Sequence, residues 1–67
     1  MQFTVSILDS DTMIVRKVIV EAKDAYEAHK SAMMKEIVDF ELEDITKIID
    51  EDGTAVYLKN QGFYEPN

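Results

Sequence analysis

This sequence predicts an α+β fold: one small domain, residues 1–67, in which an antiparallel sheet is covered on one face by a single helix. Three patterns lead there. The first residues alternate apolar and polar at period two. A later segment opens on Asp and carries alanines at helical spacing. Two β-branched runs then flank an acidic loop that ends in glycine. The expected order is strand, strand, helix, strand, strand.

In FTVSIL, Phe3, Val5 and Ile7 point one way while Thr4 and Ser6 point the other, as in a half-buried strand. Asp9, Ser10, Asp11 and Thr12 interrupt it, and their side chains can accept bonds from nearby backbone N–H groups, which favours a turn. MIVRKVIV returns, so a hairpin is expected with strands near 2–8 and 13–22. Arg16 and Lys17 are neighbours on the returning strand and must face opposite sides. Asp24 fits an N-cap, and Glu27 three residues on resembles a capping box. Ala25, Ala28 and Ala32 share a face that lets the helix sit close to the sheet. Tyr26, Met33 and Ile37 flank that face and widen it. The helix is expected from about Ala25 to about Met34, with Val38 as its outer limit. In DFELED, Phe40 and Leu42 read as anchors into the core. ITKII is a short strand, Asp50 to Gly53 a hairpin loop in which Gly53 supplies positive φ, and TAVYLK the returning strand. Asn60 to Gly62 turns again, leaving Phe63, Tyr64 and Pro66 in a tail.

Size narrows the function classes. A chain of 67 residues lies near the lower limit for a self-sufficient core, and it has no cysteine for a disulfide or thiolate site. Tight packing or a second copy of the chain must compensate. The apolar fraction of 46% is too high for a disordered acidic tail. No apolar run reaches the roughly 18 residues of a membrane span. Asp9 and Asp11 break the first apolar stretch, so no signal-peptide pattern is present and a cytoplasmic location is expected. His29, the one histidine, reads as a boundary residue of the helix. Ser6, Ser10 and Ser31 have no visible base, and Gly53 and Gly62 are too few for a phosphate-cradling loop. Asp9-x-Asp11 and Asp50-Glu51-Asp52 lack the spacing of a calcium loop and read as solvated turns. The chain is therefore expected to be non-enzymatic, with no cofactor and no metal site.

Charge is the most informative remaining feature. Residues 1–35 carry five acids and five bases; residues 36–67 carry nine acids and only Lys47 and Lys59, so the whole net charge of −7 sits in the second half. Glu36, Asp39, Glu41, Glu43, Asp44, Asp50, Glu51 and Asp52 form the band. Acidic loops commonly just keep a small domain soluble. Their segregation from a neutral first half favours a second reading, in which carboxylates along one edge imitate a phosphate backbone and attract a basic protein surface. Nucleic acid itself is disfavoured as a partner, because phosphates need clustered Lys and Arg. Tyr57 and Tyr64, with Phe63, are further candidates for protein contact, since Tyr offers large area at low entropy cost. Phe63 reads equally well as closing the core. Exposed edges at Met13 to Val20 or Ala55 to Lys59 would allow a homodimer.

FTVSILDSDTMIVRKVIVEAKDAYEAHKSAMM resembles the first part of the short T7-like phage inhibitors of bacterial RNA polymerase. That family has a hairpin with an acidic turn, a helix with spaced Ala and Glu, and one more strand. Asp9 and Asp11 occupy the place of the acidic turn, and Lys47 falls near a basic position of the last strand. Ile49 stands near the second basic position, and Thr54 to Asn67 is additional. The element order, with an aromatic tail after a turn glycine, is also similar to small phage anti-CRISPR proteins. Both resemblances imply a small folded inhibitor that blocks the nucleic-acid groove of a host protein, a CRISPR effector or, as the alternative, RNA polymerase. A small self-associating assembly protein is the remaining expectation.

Overall fold

A computed structural model describes residues 1–34, 38–39 and 41–64. Expectations for Glu36, Ile37, Phe40 and Pro66 fall outside the described residues. The elements are β1 (Gln2–Asp9), β2 (Val15–Glu21), α1 (Ala25–Met34), β3 (Glu43–Ile49), β4 (Ala55–Leu58) and β5 (Gly62–Phe63). The α+β class, with one helix on an antiparallel sheet, is as the sequence predicts. The order gains a short fifth strand where a tail is expected.

Alternation in β1 sets the core. Phe3, Val5 and Ile7 face the helix and are buried, and their partners in register on the flanking strands are Val20, Val18 and Arg16 on β2 and Ile48 and Ile45 on β3. Ala28 and Ala32 close this layer from the helix side and are fully buried, since a methyl group lets the helix backbone approach the sheet. Asp24 caps α1 by accepting the Glu27 N–H at 2.8 Å on its Oδ1.

The strands lie in the order β2-β1-β3-β4-β5, with every neighbouring pair antiparallel. Two register shifts bend the sheet, one opposite Ser6/Ile7 and one between Ile48 and Ile49. β5 forms because Gly62 adopts φ 80°, so that the chain reverses after Leu58 and the Tyr64 N–H donates to the Val56 carbonyl at 2.8 Å. This corrects one candidate edge: Tyr57 and Leu58 pair with β5, so the Ala55–Lys59 edge is occupied, while β2 remains the edge strand.

Two further expectations are corrected. Met13 is not in the strand; it takes a left-handed φ of 60°, and its N–H donates to the Asp9 carbonyl at 2.7 Å to close the turn. Leu42 does not anchor the core and is 46% exposed. Its carbonyl instead accepts the Ser10 N–H at 2.7 Å and the Ser10 hydroxyl at 2.9 Å, tying the segment before β3 to the hairpin turn. Among the described residues of this connection, Val38, 3% exposed, enters the core.

Among the described residues no helix covers the second sheet face. Cross-strand register places Val15, Lys17, Ile19 and Glu21 of β2 there, next to Leu8, Ser6, Thr4 and Gln2 of β1. Ser6 is nevertheless only 6% exposed, because Lys17 and Lys47 pair with it on either side and their aliphatic stems flank it.

Candidate functional site

The fold divides the acidic band into two poles. β3 runs between them, so its Glu43 and Ile49 ends stand about 20 Å apart at ~3.3 Å per strand residue. The first pole recruits two acids from the hairpin turn. Asp9 pairs with Glu43 in register, and Leu8 pairs with Asp44. Asp9 Oδ1 accepts the Asp11 N–H at 2.8 Å and the Thr12 N–H at 3.2 Å. Asp39 donates its N–H to Glu43 Oε1 at 3.0 Å and accepts the Glu41 N–H on Oδ1 at 3.0 Å. Asp9, Asp11, Asp39, Glu41 and Glu43 are thus joined by contacts between their own residues, and Asp44 follows Glu43 on β3.

Two cations answer them. Arg16 lies on the helix-side face of the edge strand and grips Glu43 with both arms, Nε to Oε2 at 2.8 Å and Nη2 to Oε1 at 3.0 Å. The Arg16 fork, helped by the Asp39 N–H, holds the Glu43 carboxyl down at about 2. Lys59 pairs with Asp44, which raises the lysine's affinity for its proton. Asp9, Asp11, Asp39 and Glu41 have no cation among the described residues within ion-pair distance.

The second pole is the β3–β4 turn. Asp50 Oδ1 accepts the N–H groups of Asp52 and Thr54, both at 2.9 Å, and Glu51 Oε1 accepts the Gln2 N–H at 2.6 Å. Glu21, across β1 from this turn, pairs with the Met1 amino group at 2.8 Å. Of the acids singled out in the sequence, then, Asp39, Asp50 and Glu51 serve backbone donors, Glu43 and Asp44 serve cations, and Glu41 and Asp52 present unengaged carboxylates to solvent. Among the described residues no group of three or more His, Asp and Glu side chains has the arrangement of a metal site.

The aromatic candidates separate. Tyr57 is half-buried within a ring cluster that joins α1 to the last two strands: its centroid lies 4.7 Å from Phe63 and 4.9 Å from His29, and Tyr26 stacks on Phe63 at 5.4 Å. Phe63 is half-buried among the rings of Tyr26, His29 and Tyr57, at the rim of the core and not within it, and burial among these rings lowers the His29 pKa, with Asp44 opposing. Tyr64 is 60% exposed and borders an open cleft of about 420 Å³ with Asp24, Ala25, Tyr26 and Phe63. Sequence reasoning missed Asp11 and Asp9 as members of the first pole. No local pattern carries that signal, since the pairing of the Ser10-containing turn with the residues just before β3 follows from the sheet order.

No helix among the described residues is long and apolar enough to cross a membrane. No family model, characterised protein or solved structure matches this chain.

Proposed function

We propose that this chain is a non-enzymatic, phage-type inhibitor that docks by its acidic poles onto the basic nucleic-acid groove of a host protein. The supporting observation is the first pole, where contacts gather Asp9, Asp11, Asp39, Glu41 and Glu43 beside Asp44, while among the described residues only Arg16 and Lys59 counter them. The two ion pairs and the backbone bonds fix the carboxylates of Asp9, Asp39, Glu43 and Asp44 in place, so little of their side-chain entropy is lost on docking, while Asp11 and Glu41 keep carboxylates open to a basic surface. The second pole, about 20 Å away along β3, adds Asp52 and lets the molecule reach along a groove. The net charge of −7 steers approach to a cationic target and makes association fall with salt. Among such targets a CRISPR effector stands first, and RNA polymerase second because the acidic second half departs from the polymerase-inhibitor pattern.

The test is capture from bacterial lysate at low and moderate salt, with the E41K/D52K double variant beside the natural chain. Both residues are exposed and neither carboxylate holds a backbone or cationic partner, so the fold is unaffected. The expected result is one nucleic-acid-handling protein, retained at low salt, released as salt rises, and lost with the variant. A captured protein that binds the variant equally, or that binds the chain and its nucleic acid together, would exclude groove mimicry.

A further inference from the structure

β2 is an edge strand of the sheet, and its outward backbone groups can be read from the ladder. Two hydrogen bonds lie beyond the two ends of the β1–β2 ladder: the Asp9 N–H donates to the Ile14 carbonyl, and the Ala22 N–H to the Met1 carbonyl, each at 2.9 Å. The register between them is unbroken, Gln2 opposite Glu21 through Leu8 opposite Val15. In an antiparallel ladder bonded and non-bonded pairs alternate. Ile14, Arg16, Val18, Val20 and Ala22 therefore spend their backbone groups on β1, and the N–H and C=O groups of Val15, Lys17, Ile19 and Glu21 point outward from the edge. No described strand pairs there. The side chains of the same residues lie on the face without a helix, where Ile19 is 66% and Val15 52% exposed.

We propose that this edge pairs with the β2 edge of a second copy, antiparallel and centred on Ile19. A twofold pairing of outward groups must set odd-numbered residues opposite odd-numbered residues. Centring on Lys17 would stack Lys17 on its symmetry mate, and like charges directly opposite are destabilising. Centring on Val18 would put Lys17 against Ile19. Centring on Ile19 places Lys17 opposite the second copy's Glu21, and Glu21 opposite its Lys17, with Ile19 against Ile19 on the axis and Val18 against Val20 on the helix side. Charge and apolar contact then agree in one register. Among the described residues Lys17 has no ion-pair partner, and Glu21 holds only the exposed Met1 amine, its own side chain being 71% exposed. The partner chemistry is therefore a second copy of this chain, joined into one continuous sheet that leaves the Asp39–Asp44 pole and the β3–β4 turn outside the interface. This association is independent of the groove-binding reading.

Sedimentation equilibrium on the full chain tests it. The expected species is a reversible dimer of twice the 7.7 kDa chain mass. The single reversals K17E and E21K should each weaken dimerisation at least about tenfold, since two attractive cross-strand pairs become repulsive. The charge-swapped double variant K17E/E21K should restore it. At dimer concentrations the amides of Lys17, Ile19 and Glu21 should become protected from hydrogen exchange, whereas those of Val18 and Val20 are protected in monomer and dimer alike. A chain that stays monomeric at millimolar concentration, or a dimer that K17E leaves intact, or a double variant that does not recover, would overturn the pairing. E41K/D52K should dimerise as the natural chain does, so loss of host-protein capture and loss of dimerisation are separate outcomes.

Discussion

Two ionisable side chains make the fold sensitive to acid for opposite chemical reasons. Glu43 is a carboxyl whose charged form is preferred in the folded state, because the Arg16 fork and the Asp39 N–H bond to it, and its pKa is lowered to about 2. In the unfolded chain it titrates in the ordinary carboxylate range. Its contribution is therefore complete above that range and is lost as pH falls towards 2. His29 is a base whose neutral form is preferred, because the rings of Tyr57 and Phe63 and the helix surround it and lower its pKa. The unfolded chain takes up the proton first, so this contribution is complete above about 6.5 and is lost as pH falls below it. Urea unfolding followed from pH 7.5 to pH 2.5 should show stability falling in two steps. His29→Phe keeps a ring in the cluster and should flatten the upper step while leaving the lower one. Glu43→Gln should flatten the lower step and leave the upper one. An upper step unchanged in His29→Phe would mean that the histidine proton is not linked to folding. The sequence singled out both residues by type, His29 as a boundary histidine and Glu43 as one of an acidic band. The partner of each was hidden, because Arg16 meets Glu43 across the register of three strands, and His29 meets Phe63 only once β5 has formed.

At the scale of elements, what was legible followed local rules. Period-two alternation in FTVSIL marked β1 and its buried face, and Asp24 marked the start of α1 through a bond that reaches only three residues ahead. Asp24→Ala removes the acceptor for the Glu27 N–H and should cost about 1 kcal/mol, lowering Tm by several degrees for a domain of this size, roughly 4–8 °C. Asp24→Asn retains an acceptor oxygen and should recover most of that loss, a comparison readily made by thermal melts. An Asn variant as unstable as Ala would show that the carboxylate charge near the helix N-terminus matters more than the bond. The elements that sequence patterns placed poorly are those that depend on non-local pairing. β5 has two residues, too few to show alternation, and it exists because Gly62 turns the chain back onto Tyr57 and Leu58. β2 begins at Val15 because Asp9 closes a longer turn through the N–H groups of Asp11, Thr12 and Met13, and this absorbs two residues of the apolar run. Leu42 stays outside because its carbonyl, rather than its side chain, is what the hairpin turn holds.

At the scale of the molecule, the sequence displayed the charge as one band in the second half, and the sheet turns it into two separated poles with the first half supplying part of each. Asp9 and Asp11 join one pole and Glu21 flanks the other, while Lys17 and Lys47 lie between them on the face without a helix. No linear pattern contains that arrangement, since it follows from the order β2-β1-β3-β4-β5. The consequence is an internal repulsion that ion pairs answer only locally. Arg16–Glu43, Lys59–Asp44 and the Met1 amine with Glu21 are surface pairs, each with at least one solvent-exposed partner, and solvent screening keeps the contribution of such pairs small. The formal charge of −7 on so small a body instead makes the compact state unfavourable at long range. Added salt weakens both effects, and the two predict opposite slopes. The Debye length falls from about 30 Å at 0.01 M to about 8 Å at 0.15 M, which is shorter than the ~20 Å between the poles but longer than any ion-pair contact. Pole-to-pole repulsion is therefore screened away over this range while the ion pairs keep most of their attraction. Thermal melts at pH 7.5 should show Tm rising between 0.01 and 0.15 M sodium chloride. The rise should be smaller in E41K/D52K, whose net charge is four units less negative because each reversal changes the charge by two. A Tm that falls with salt would mean that the ion pairs, above all the Arg16 fork, outweigh the separated acids in holding the fold.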